Sequence, residues 1–173
     1  MITLITGGSK CGKSSFAERV LDGFHGRKIY IATMQPFGED ASEAIERHRK
    51  MRLGKGFETI EKYTNLHELS VTAGSAVLLE CVGNLCANEM FRGNEIVCPT
   101  GNVISGIKAV SETASELVIV TNQVGSDGIS YSEGTAQYIR CLGEINRYIA
   151  EIADNVIECV YGIPFVLKGE LPC

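Results

Sequence analysis

The feature that most constrains the fold is the segment from Gly7 to Ser14, which reads GGSKCGKS and satisfies the pattern G-x-x-x-x-G-K-[ST]. It directly follows the apolar run ITLIT and opens a helical pattern, which is the context that a phosphate-binding loop requires. Glycines let backbone N–H groups turn toward phosphate oxygens, and the start of a helix adds the positive end of its dipole. The segment therefore predicts a nucleoside triphosphate site rather than a chance glycine-rich turn.

The residues of this loop have separate expected tasks. The Lys13 ammonium is expected to reach the β- and γ-phosphates of the nucleotide, and the Ser14 hydroxyl is expected to hold Mg²⁺. The other residues predicted to bind the nucleotide here shape the loop around the phosphates. They are Gly7, Gly8, Ser9, Lys10, Cys11 and Gly12.

Short apolar runs alternate with helical patterns along the chain. The predicted strands are ITLIT (2–6), KIYIA (28–32), AVLLE (76–80), LVIVT (117–121) and NVIECV (155–160). Runs that are apolar on both faces are typical of a buried parallel sheet. The predicted helices lie near 13–22, 40–53, 84–92, 102–115 and 135–153. The order of these elements predicts an α/β fold of the P-loop NTPase-like type, in which helices flank a doubly wound, mostly parallel sheet.

Length and composition narrow the functional classes. A chain of 173 residues with 45% hydrophobic residues predicts a single domain, 1–173. The net charge of -5 argues against a surface for nucleic acid or anionic membrane, since each needs a clustered positive field. Seven cysteines without a CxxC pair predict free thiols rather than a disulfide framework or a zinc site. The absence of a signal-peptide pattern or a membrane-spanning stretch leads us to expect a cytoplasmic protein.

The carboxyl ends of the predicted strands should meet at one crevice, because open α/β sheets bind ligands there. Glu80 ends the run AVLLE and is the candidate second Mg²⁺ ligand, with a cap on the following helix as the alternative. Other residues expected at this edge are Ala32, Thr33, Met34 and Asn122, of which the first three are predicted to bind the nucleotide. The Gly-rich segment VGSDGISYSEG (124–134) is long for a connection, which favours a functional loop.

A single histidine, His48, lies in the basic segment EAIERHRKMR (43–52). If this segment is helical, steps of 3.6 residues place one set of residues on the face toward the protein body. This set is Ala41, Ala44, Ile45, His48 and Arg52, with Met51 at its edge. Most of the charged residues then form a solvated face, whereas His48 and Arg52 lie inward. His48 is the candidate catalytic residue, and a satisfied structural histidine is the alternative.

The chemistry open to such a histidine is nucleophilic catalysis. A neutral imidazole can attack the α-phosphorus of a nucleoside triphosphate, which gives a phosphoramidate and releases pyrophosphate. Neighbouring cations would stabilise the charge on the leaving pyrophosphate and would disfavour the imidazolium form of the ring. Each exposed charge at about 4 Å is worth only ~1 kcal/mol in water, so the cations assist this reaction without controlling it.

Several segments, taken in order, resemble a known enzyme family. They are GGSKCGKS, KIYIATM (28–34), the pair His48-x-x-x-Arg52, FETIE (57–61), VLLEC (77–81), VTNQVG (120–125) and GEIN (143–146). Their order and spacing are similar to those of the adenosylcobinamide kinase/adenosylcobinamide-phosphate guanylyltransferase family, the bifunctional enzyme of cobalamin nucleotide-loop assembly. The resemblance runs from the first predicted strand to the last.

This resemblance implies two successive reactions. The family phosphorylates the hydroxyl of the aminopropanol arm of adenosylcobinamide with ATP or GTP. It then transfers GMP from GTP through a guanylylated histidine, here His48, to give adenosylcobinamide-GDP. The resemblance also implies nucleotide-binding roles for Arg49, Lys50, Met51, Arg52, Glu61 and Glu80. Family members resemble one another in forming trimers, with the corrinoid expected near a subunit boundary.

Some positions depart from the family pattern. Phe57 stands where the family has tryptophan, and Gln123 stands where it has a carboxylate. The region 126–141 lacks the family's proline near Ser130 and reads Tyr138, Ile139 and Arg140 in place of F-R-D. These departures fall in the loop and helix expected to touch the corrinoid or a neighbouring subunit, so they bear on substrate identity more than on nucleotide chemistry.

Two other functions stay open at this point. The first is a monofunctional P-loop kinase for another small hydroxyl compound, in which His48 and Arg52 clamp a substrate anion and no covalent adduct forms. The second is a nucleotide-dependent switch, in which the γ-phosphate orders the loop 122–134. A covalent nucleotide adduct would distinguish the bifunctional enzyme from both.

Overall fold

The structure is a computed structural model that describes residues 1–36, 39–93, 95–125 and 127–172, with the backbone alone described at residues 39–41 and 51. Its strands are β1 (Ile2–Gly7), β2 (Lys28–Ala32), β3 (Phe57–Glu61), β4 (Ala76–Leu79), β5 (Glu116–Val120), β6 (Asn155–Val160) and β7 (Ile163–Lys168). Its helices are α1 (Lys13–Val20), α2 (Glu39–Arg52), α3 (Val82–Met90), α4 (Thr100–Thr113) and α5 (Glu133–Ile152). A short 3-10 turn spans Leu66–Glu68.

The strands form one seven-stranded sheet in the order β3-β2-β4-β5-β1-β6-β7. Neighbours from β3 to β6 run parallel, and β7 runs antiparallel to β6. In the interior of the sheet, Ile5 of β1 pairs with Val120 on one side and with Ile157 on the other. The mostly parallel α/β sheet predicted from the sequence is confirmed, and the loop after β1 opens at its carboxyl edge.

Helices cover both faces of this sheet. One face packs against α3, α4 and α5, where Leu85, Ile107 and Ile145 are fully buried. The other face packs against α1 through Phe16 and Ala17. All residues of β4 are buried, as expected for an interior strand that is covered on both sides.

The predicted helices are all present, and each end lies within two residues of its prediction. The sequence pattern does not predict the two edge strands. In β3 the alternation is weak, because Glu58 and Thr59 are both exposed. In β7 a proline, Pro164, interrupts the run, and proline is tolerated in sheets mainly at edges. Edge strands lack the doubly buried apolar pattern on which the prediction depended.

The connections add two observations. Among the described residues from 121 to 132 there is neither helix nor strand, so the predicted loop 124–134 is present up to the start of α5 at Glu133. Within the part of the chain that the structure describes, no helix has the length and apolar composition needed to cross a bilayer.

Candidate active site

The phosphate-binding loop leads from β1 into α1 and depends on two glycines. Gly7 has φ 142°, and a Cβ at this position would lie 2.4 Å from the carbonyl oxygen of Cys159. Gly12 has φ 98° and directly precedes the first residue of α1. Both positions therefore exclude an ordinary side chain. This geometry delivers the chain to the start of α1, where free backbone N–H groups and the helix dipole favour phosphate.

The Lys13 side chain folds back over this loop. Its Nζ donates to the carbonyl oxygens of Gly7 (3.0 Å) and Gly8 (2.5 Å) and lies 3.7 Å from Cys11 Sγ. The residue is only 6% exposed. Neutral carbonyl acceptors hold the ammonium here, and phosphate oxygens would make stronger, charge-assisted hydrogen bonds with it.

A pocket of about 590 Å³ opens beside the loop, a volume within the roughly 300–1,000 Å³ of typical ligand sites. Residues 9–15 line one side of it. The opposite side carries Met34, His48, Glu80 and Asn122. The predicted crevice at the carboxyl ends of the strands is therefore present, and it brings the phosphate-binding loop, the strand-end carboxylate and the histidine together.

Glu80 follows β4 and forms the centre of a buried hydrogen-bond network. Its Oε1 accepts from the Tyr30 hydroxyl at 2.8 Å and lies 2.9 Å from His48 Nδ1. Its Oε2 accepts from the backbone N–H groups of Thr33 at 2.9 Å and Met34 at 3.0 Å. Each carboxylate oxygen thus faces two donors, which is how a buried charge is made tolerable.

The network also sets the ionisation of its members. Burial raises the pKa of the Glu80 carboxyl, but hydrogen bonds from His48, Tyr30 and the two backbone N–H groups outweigh it, so the pKa falls below its ordinary value. Burial and the neighbouring Glu80 charge raise the pKa of the Tyr30 hydroxyl, which stays protonated as a donor. Glu80 is therefore a carboxylate at neutral pH, and it acts as the acceptor in these contacts.

The orientation of His48 follows from this carboxylate. Because Oε1 of Glu80 can only accept, the proton of the neutral imidazole lies on Nδ1 and the lone pair lies on Nε2. The Tyr30 hydroxyl, 3.4 Å from Nδ1, already donates to Glu80. Among the residues that the structure describes, Nε2 has no hydrogen-bond partner. The ring is fixed at one nitrogen and free to react at the other.

His48 and Glu80 also border a second pocket, of about 280 Å³. Its wall carries polar residues from α2, β3 and the segment after β3: Ser42, Arg49, Arg52, Thr59, Glu61 and Tyr63. Ala32 and Ile45 contribute apolar surface. The histidine therefore stands at the boundary between two pockets, one of which contains the phosphate-binding loop.

Arg52 is buried on the inward face of α2, as predicted, with 7% of the residue exposed. Its guanidinium carbon lies 3.5 Å from the centroid of the Tyr30 ring, which is a cation–π contact. Its Nη1 is buried and lacks a hydrogen-bond partner within the described part of the chain. Buried donors normally find acceptors, so this one marks a place where a ligand could supply an acceptor.

Arg49 and Glu61 meet at the rim of the second pocket. Arg49 Nη2 lies 3.1 Å from Glu61 Oε1, and the Tyr63 hydroxyl donates to Glu61 Oε2 at 2.8 Å. Both partners of the ion pair are at least half exposed, so the pair itself adds little to stability. Its position beside Arg52 agrees with a site that a polar ligand can enter.

The structure does not bring Lys50 to either pocket. Its side chain is 69% exposed and pairs with Glu46 at 3.6 Å on the outer side of α2. The predictions for the side chains of Ala41 and Met51 lie outside the described residues. Nucleotide binding by Lys50 therefore has no support in its position.

Four site residues are missed by the sequence pattern. Arg47 lines the first pocket although the helical projection places it on the solvated face, because the loop lies against the side of α2. Cys81 and Asn84 line the same pocket from the start of α3. Tyr30 is a polar residue in the aliphatic strand KIYIA, and the need of its hydroxyl for a buried partner is the signal that could have identified it.

The two predicted Mg²⁺ ligands fit that role unequally. Ser14 lines the first pocket and follows Lys13, so its hydroxyl suits a cation bound to nucleotide phosphates. Glu80 lines the same pocket, but both of its oxygens already accept hydrogen bonds. Within the described residues no group of three His, Cys, Asp or Glu side chains could hold a metal by itself.

This arrangement can now be set against known proteins. A profile of the family described as cobinamide kinase / cobinamide phosphate guanyltransferase matches residues 3–167. The chain belongs to this family. The match spans both pockets and the whole sheet except the first residue of β1 and the last residue of β7. It confirms the resemblance drawn from the sequence and makes the chain an enzyme of the cobinamide kinase/guanyltransferase type.

Curated relatives agree with the family. The bifunctional adenosylcobalamin biosynthesis protein CobU of Escherichia coli (strain K12) is 30% identical over 183 residues, which covers 97% of this chain and 100% of that protein. The bifunctional adenosylcobalamin biosynthesis protein CobP of Pseudomonas aeruginosa is 27% identical over 178 residues, which covers 98% of this chain and 99% of that protein. The similarity extends over essentially full lengths.

Solved structures support the fold. The ATPase domain of another protein has a TM-score of 0.50 at 10% identity, and the match covers 91% of this chain and 68% of that chain. A protein of Pyrococcus horikoshii OT3 has a TM-score of 0.52 at 8% identity, and the match covers 97% and 86%, respectively. At these identities the likeness concerns the fold alone, and it confirms the P-loop NTPase-like architecture of this family member.

Proposed function

We propose that this chain carries out both reactions of its family and holds the transferred GMP on His48. The observation that carries the proposal is the 2.9 Å contact between His48 Nδ1 and Glu80 Oε1, at the boundary of the two pockets. It leaves Nε2 as the nucleophilic nitrogen of a ring that cannot rotate freely. A carboxylate that orients an imidazole in this way recurs wherever histidine acts in catalysis.

The first reaction is phosphoryl transfer to the aminopropanol hydroxyl of adenosylcobinamide. The substrate oxygen attacks the γ-phosphorus of ATP or GTP, the bond to the β,γ-bridging oxygen breaks, and the hydroxyl proton is lost to solvent or a base. The first pocket supports this step because Lys13 and the N-terminus of α1 lie where the phosphates would be held. Mg²⁺, held by Ser14 and the phosphates, would neutralise part of their charge.

The second reaction proceeds through the histidine. Nε2 of His48 attacks the α-phosphorus of GTP, an N–P bond forms, and the bond to the α,β-bridging oxygen breaks as pyrophosphate leaves. A phosphate oxygen of adenosylcobinamide phosphate then attacks the same phosphorus, which releases Nε2 and gives adenosylcobinamide-GDP. Glu80 stabilises the positive charge that the ring acquires when Nε2 is phosphorylated, because its carboxylate holds the Nδ1 proton.

We assign Glu80 to the histidine rather than to the metal. Its hydrogen bonds to Tyr30, Thr33 and Met34 fix both oxygens, so coordination of a cation would have to displace one of these donors. In this role Glu80 positions the nucleophile and need not touch the substrate. The cations nearest the leaving pyrophosphate would then be Arg47 and Lys13, which line the same pocket.

The second pocket is the proposed site for the guanine base of GTP. Its volume of about 280 Å³ suits a bicyclic base better than a whole nucleotide. The unpartnered Nη1 of Arg52 offers a donor for guanine O6 or N7, and Glu61 offers an acceptor for its N–H groups. With the base there, the phosphates would extend past His48 toward the phosphate-binding loop.

We also propose that the enzyme is a homotrimer of the reducing cytoplasm. The edge strand β7 exposes apolar residues, with Ile163 58%, Phe165 51% and Leu167 60% exposed. An exposed apolar edge strand invites pairing with another chain. The six cysteines in the described residues are free thiols, which agrees with a reducing compartment. Light scattering after gel filtration measures the assembly, and Phe165→Asp should reduce it to monomers.

Product analysis tests the central proposal. Purified protein, Mg²⁺ and adenosylcobinamide are incubated with ATP alone and with ATP plus GTP, and the corrinoids are separated and weighed by mass spectrometry. The expected products are the phosphate with ATP alone and the GDP conjugate when GTP is added. A phosphate that never proceeds to the conjugate would leave the monofunctional kinase, with His48 and Arg52 as an anion clamp. No corrinoid product under either condition would contradict the proposal.

A further inference from the structure

A pair of cysteines outside the nucleotide site has no part in the proposed reactions. Cys98 lies in the segment between α3 and α4, and Cys141 lies on α5. Their sulfur atoms are 3.7 Å apart. Of the six cysteines that the structure describes, Cys98 alone is exposed, whereas Cys141 is only 5% exposed. One member of the pair thus faces solvent and the other faces the core.

The two thiols have opposite surroundings. Cys98 precedes the start of α4, and its Sγ lies 3.6 Å from Thr100 Oγ1. Hydrogen bonding from the Thr100 backbone and hydroxyl lowers the pKa of the Cys98 thiol. Burial raises the pKa of the Cys141 thiol. Cys98 therefore has the greater thiolate character and the better access to solutes, which are the two properties that make a cysteine reactive.

We propose that Cys98 and Cys141 are a peroxide-oxidisable pair that forms an intramolecular disulfide. The Cys98 thiolate attacks one oxygen of hydrogen peroxide, the O–O bond breaks, and water leaves with the proton from solvent, which gives a sulfenic acid. The Cys141 thiol then attacks the Cys98 sulfur, loses its proton and expels a second water. Two thiols and one peroxide thus give one disulfide and two waters. The inference does not depend on the proposed function.

The geometry favours this partner over the others. The sulfurs must approach from 3.7 Å to about 2.05 Å, which is the S–S bond length. A third cysteine, Cys86, lies close enough to feel the charge of both, but it is buried and burial raises its pKa to about 12. It therefore stays a thiol and has no route to solvent. The nearby acid Glu144 lies 3.3 Å from Thr100 Oγ1 and opposes the thiolate only indirectly.

The bond would tie two parts of the molecule that flank the nucleotide site. The loop it closes contains α4, β5 and the segment 121–132. Tyr138, one turn before Cys141 on α5, donates to the carbonyl of Gly83 at 3.3 Å. Gly83 lies between Cys81 and Asn84, which line the first pocket. The disulfide would hold α5 against this wall of the pocket.

The first test treats the reduced full-length chain with an equimolar amount of hydrogen peroxide, blocks the remaining thiols with iodoacetamide and maps the peptides. The expected result is a linked peptide containing Cys98 and Cys141, two fewer alkylated thiols and reversal by dithiothreitol. Oxidation should also raise Tm by roughly 5 to 10 °C, because a long loop is closed. A disulfide that joins other cysteines, or two chains, would overturn the inference.

Variants separate the two roles. Cys98→Ser changes an exposed residue and should slow peroxide-dependent thiol loss more than tenfold. Cys141→Ala should leave a sulfenic acid on Cys98 that dimedone captures. Cys173→Ser is the matched control, since the terminal cysteine is the most obvious competing thiol, and it should leave the Cys98–Cys141 disulfide unchanged. Unaltered oxidation of Cys98→Ser would contradict the pair, even if Cys141→Ala failed to fold.

Discussion

The phosphate-binding loop and the histidine network lie in the same crevice but are built in different ways. The loop comes from one contiguous segment, and its key contacts join Lys13 to carbonyls only a few residues away, at Gly7 and Gly8. The network joins Tyr30, His48 and Glu80 from β2, α2 and the end of β4. Backbone shape makes the first, and side chains brought together by the fold make the second. Substitutions should therefore affect the two reactions separately.

The largest expected effect is that of Lys13→Ala, which removes the cation of the loop. Because both reactions use nucleotide phosphates held there, each kcat/KM should fall by about 10³-fold. Separate assays of phosphorylation and guanylyl transfer measure this. Unchanged GTP turnover would mean that the loop does not hold the reacting phosphates.

His48→Ala should split the two reactions. Guanylyl transfer should be lost, because its nucleophile is gone, while phosphorylation should keep within about threefold of the wild-type rate. The matched controls are His25→Ala and His67→Ala, which change exposed histidines away from both pockets and should alter neither reaction. Equal loss of both activities in His48→Ala would instead indicate a structural histidine.

Glu80→Gln should weaken guanylyl transfer without removing it. An amide cannot accept from all four donors or compensate the charge on a guanylylated ring, so adduct formation should slow by roughly 10- to 100-fold. Phosphorylation should change much less, as the γ-phosphate lies at the phosphate-binding loop. If Glu80 instead held Mg²⁺ for both reactions, phosphorylation would fall as steeply, and raised Mg²⁺ would partly restore it.

Arg52→Ala should have a smaller effect on the same branch. It removes the buried donor beside the second pocket, so the KM for GTP in guanylyl transfer should rise by roughly tenfold, and discrimination between GTP and ATP should fall. Lys50→Ala is the matched control from the outer side of α2, where the change should be negligible. Equal effects of the two substitutions would argue against the base site.

The smallest expected effect concerns stability at low pH. The folded state holds the Glu80 pKa below its ordinary value of 4.5, so its contribution is fully present above 4.5 and is lost as the pH falls through the folded pKa. Between about pH 5 and pH 3 the wild type should therefore lose more free energy of unfolding than Glu80→Gln. Denaturant titrations across this range give the difference, and parallel curves would mean that Glu80 carries no shifted pKa.

The same contrast explains what the sequence could predict. The loop and the five interior strands follow from local patterns, since glycine spacing and doubly apolar runs are properties of contiguous segments. The inward positions of His48 and Arg52 follow from helical periodicity. The contact between Glu80 and Tyr30 does not, because it depends on the neighbouring positions of β2 and β4, which only the sheet order supplies. The outward prediction for Arg47 is wrong for the same reason, since periodicity gives the faces of a helix but not its neighbours.

The central claim is that His48 carries the guanylyl group. The most direct measurement incubates the protein with Mg²⁺ and GTP labelled at the α-phosphate, denatures it and asks whether label stays on the chain. The account predicts acid-labile, base-stable label that maps to His48, persists in His67→Ala and disappears in His48→Ala. Absence of label from protein shown separately to bind GTP would contradict the account and would leave a P-loop kinase in which His48 only clamps an anion.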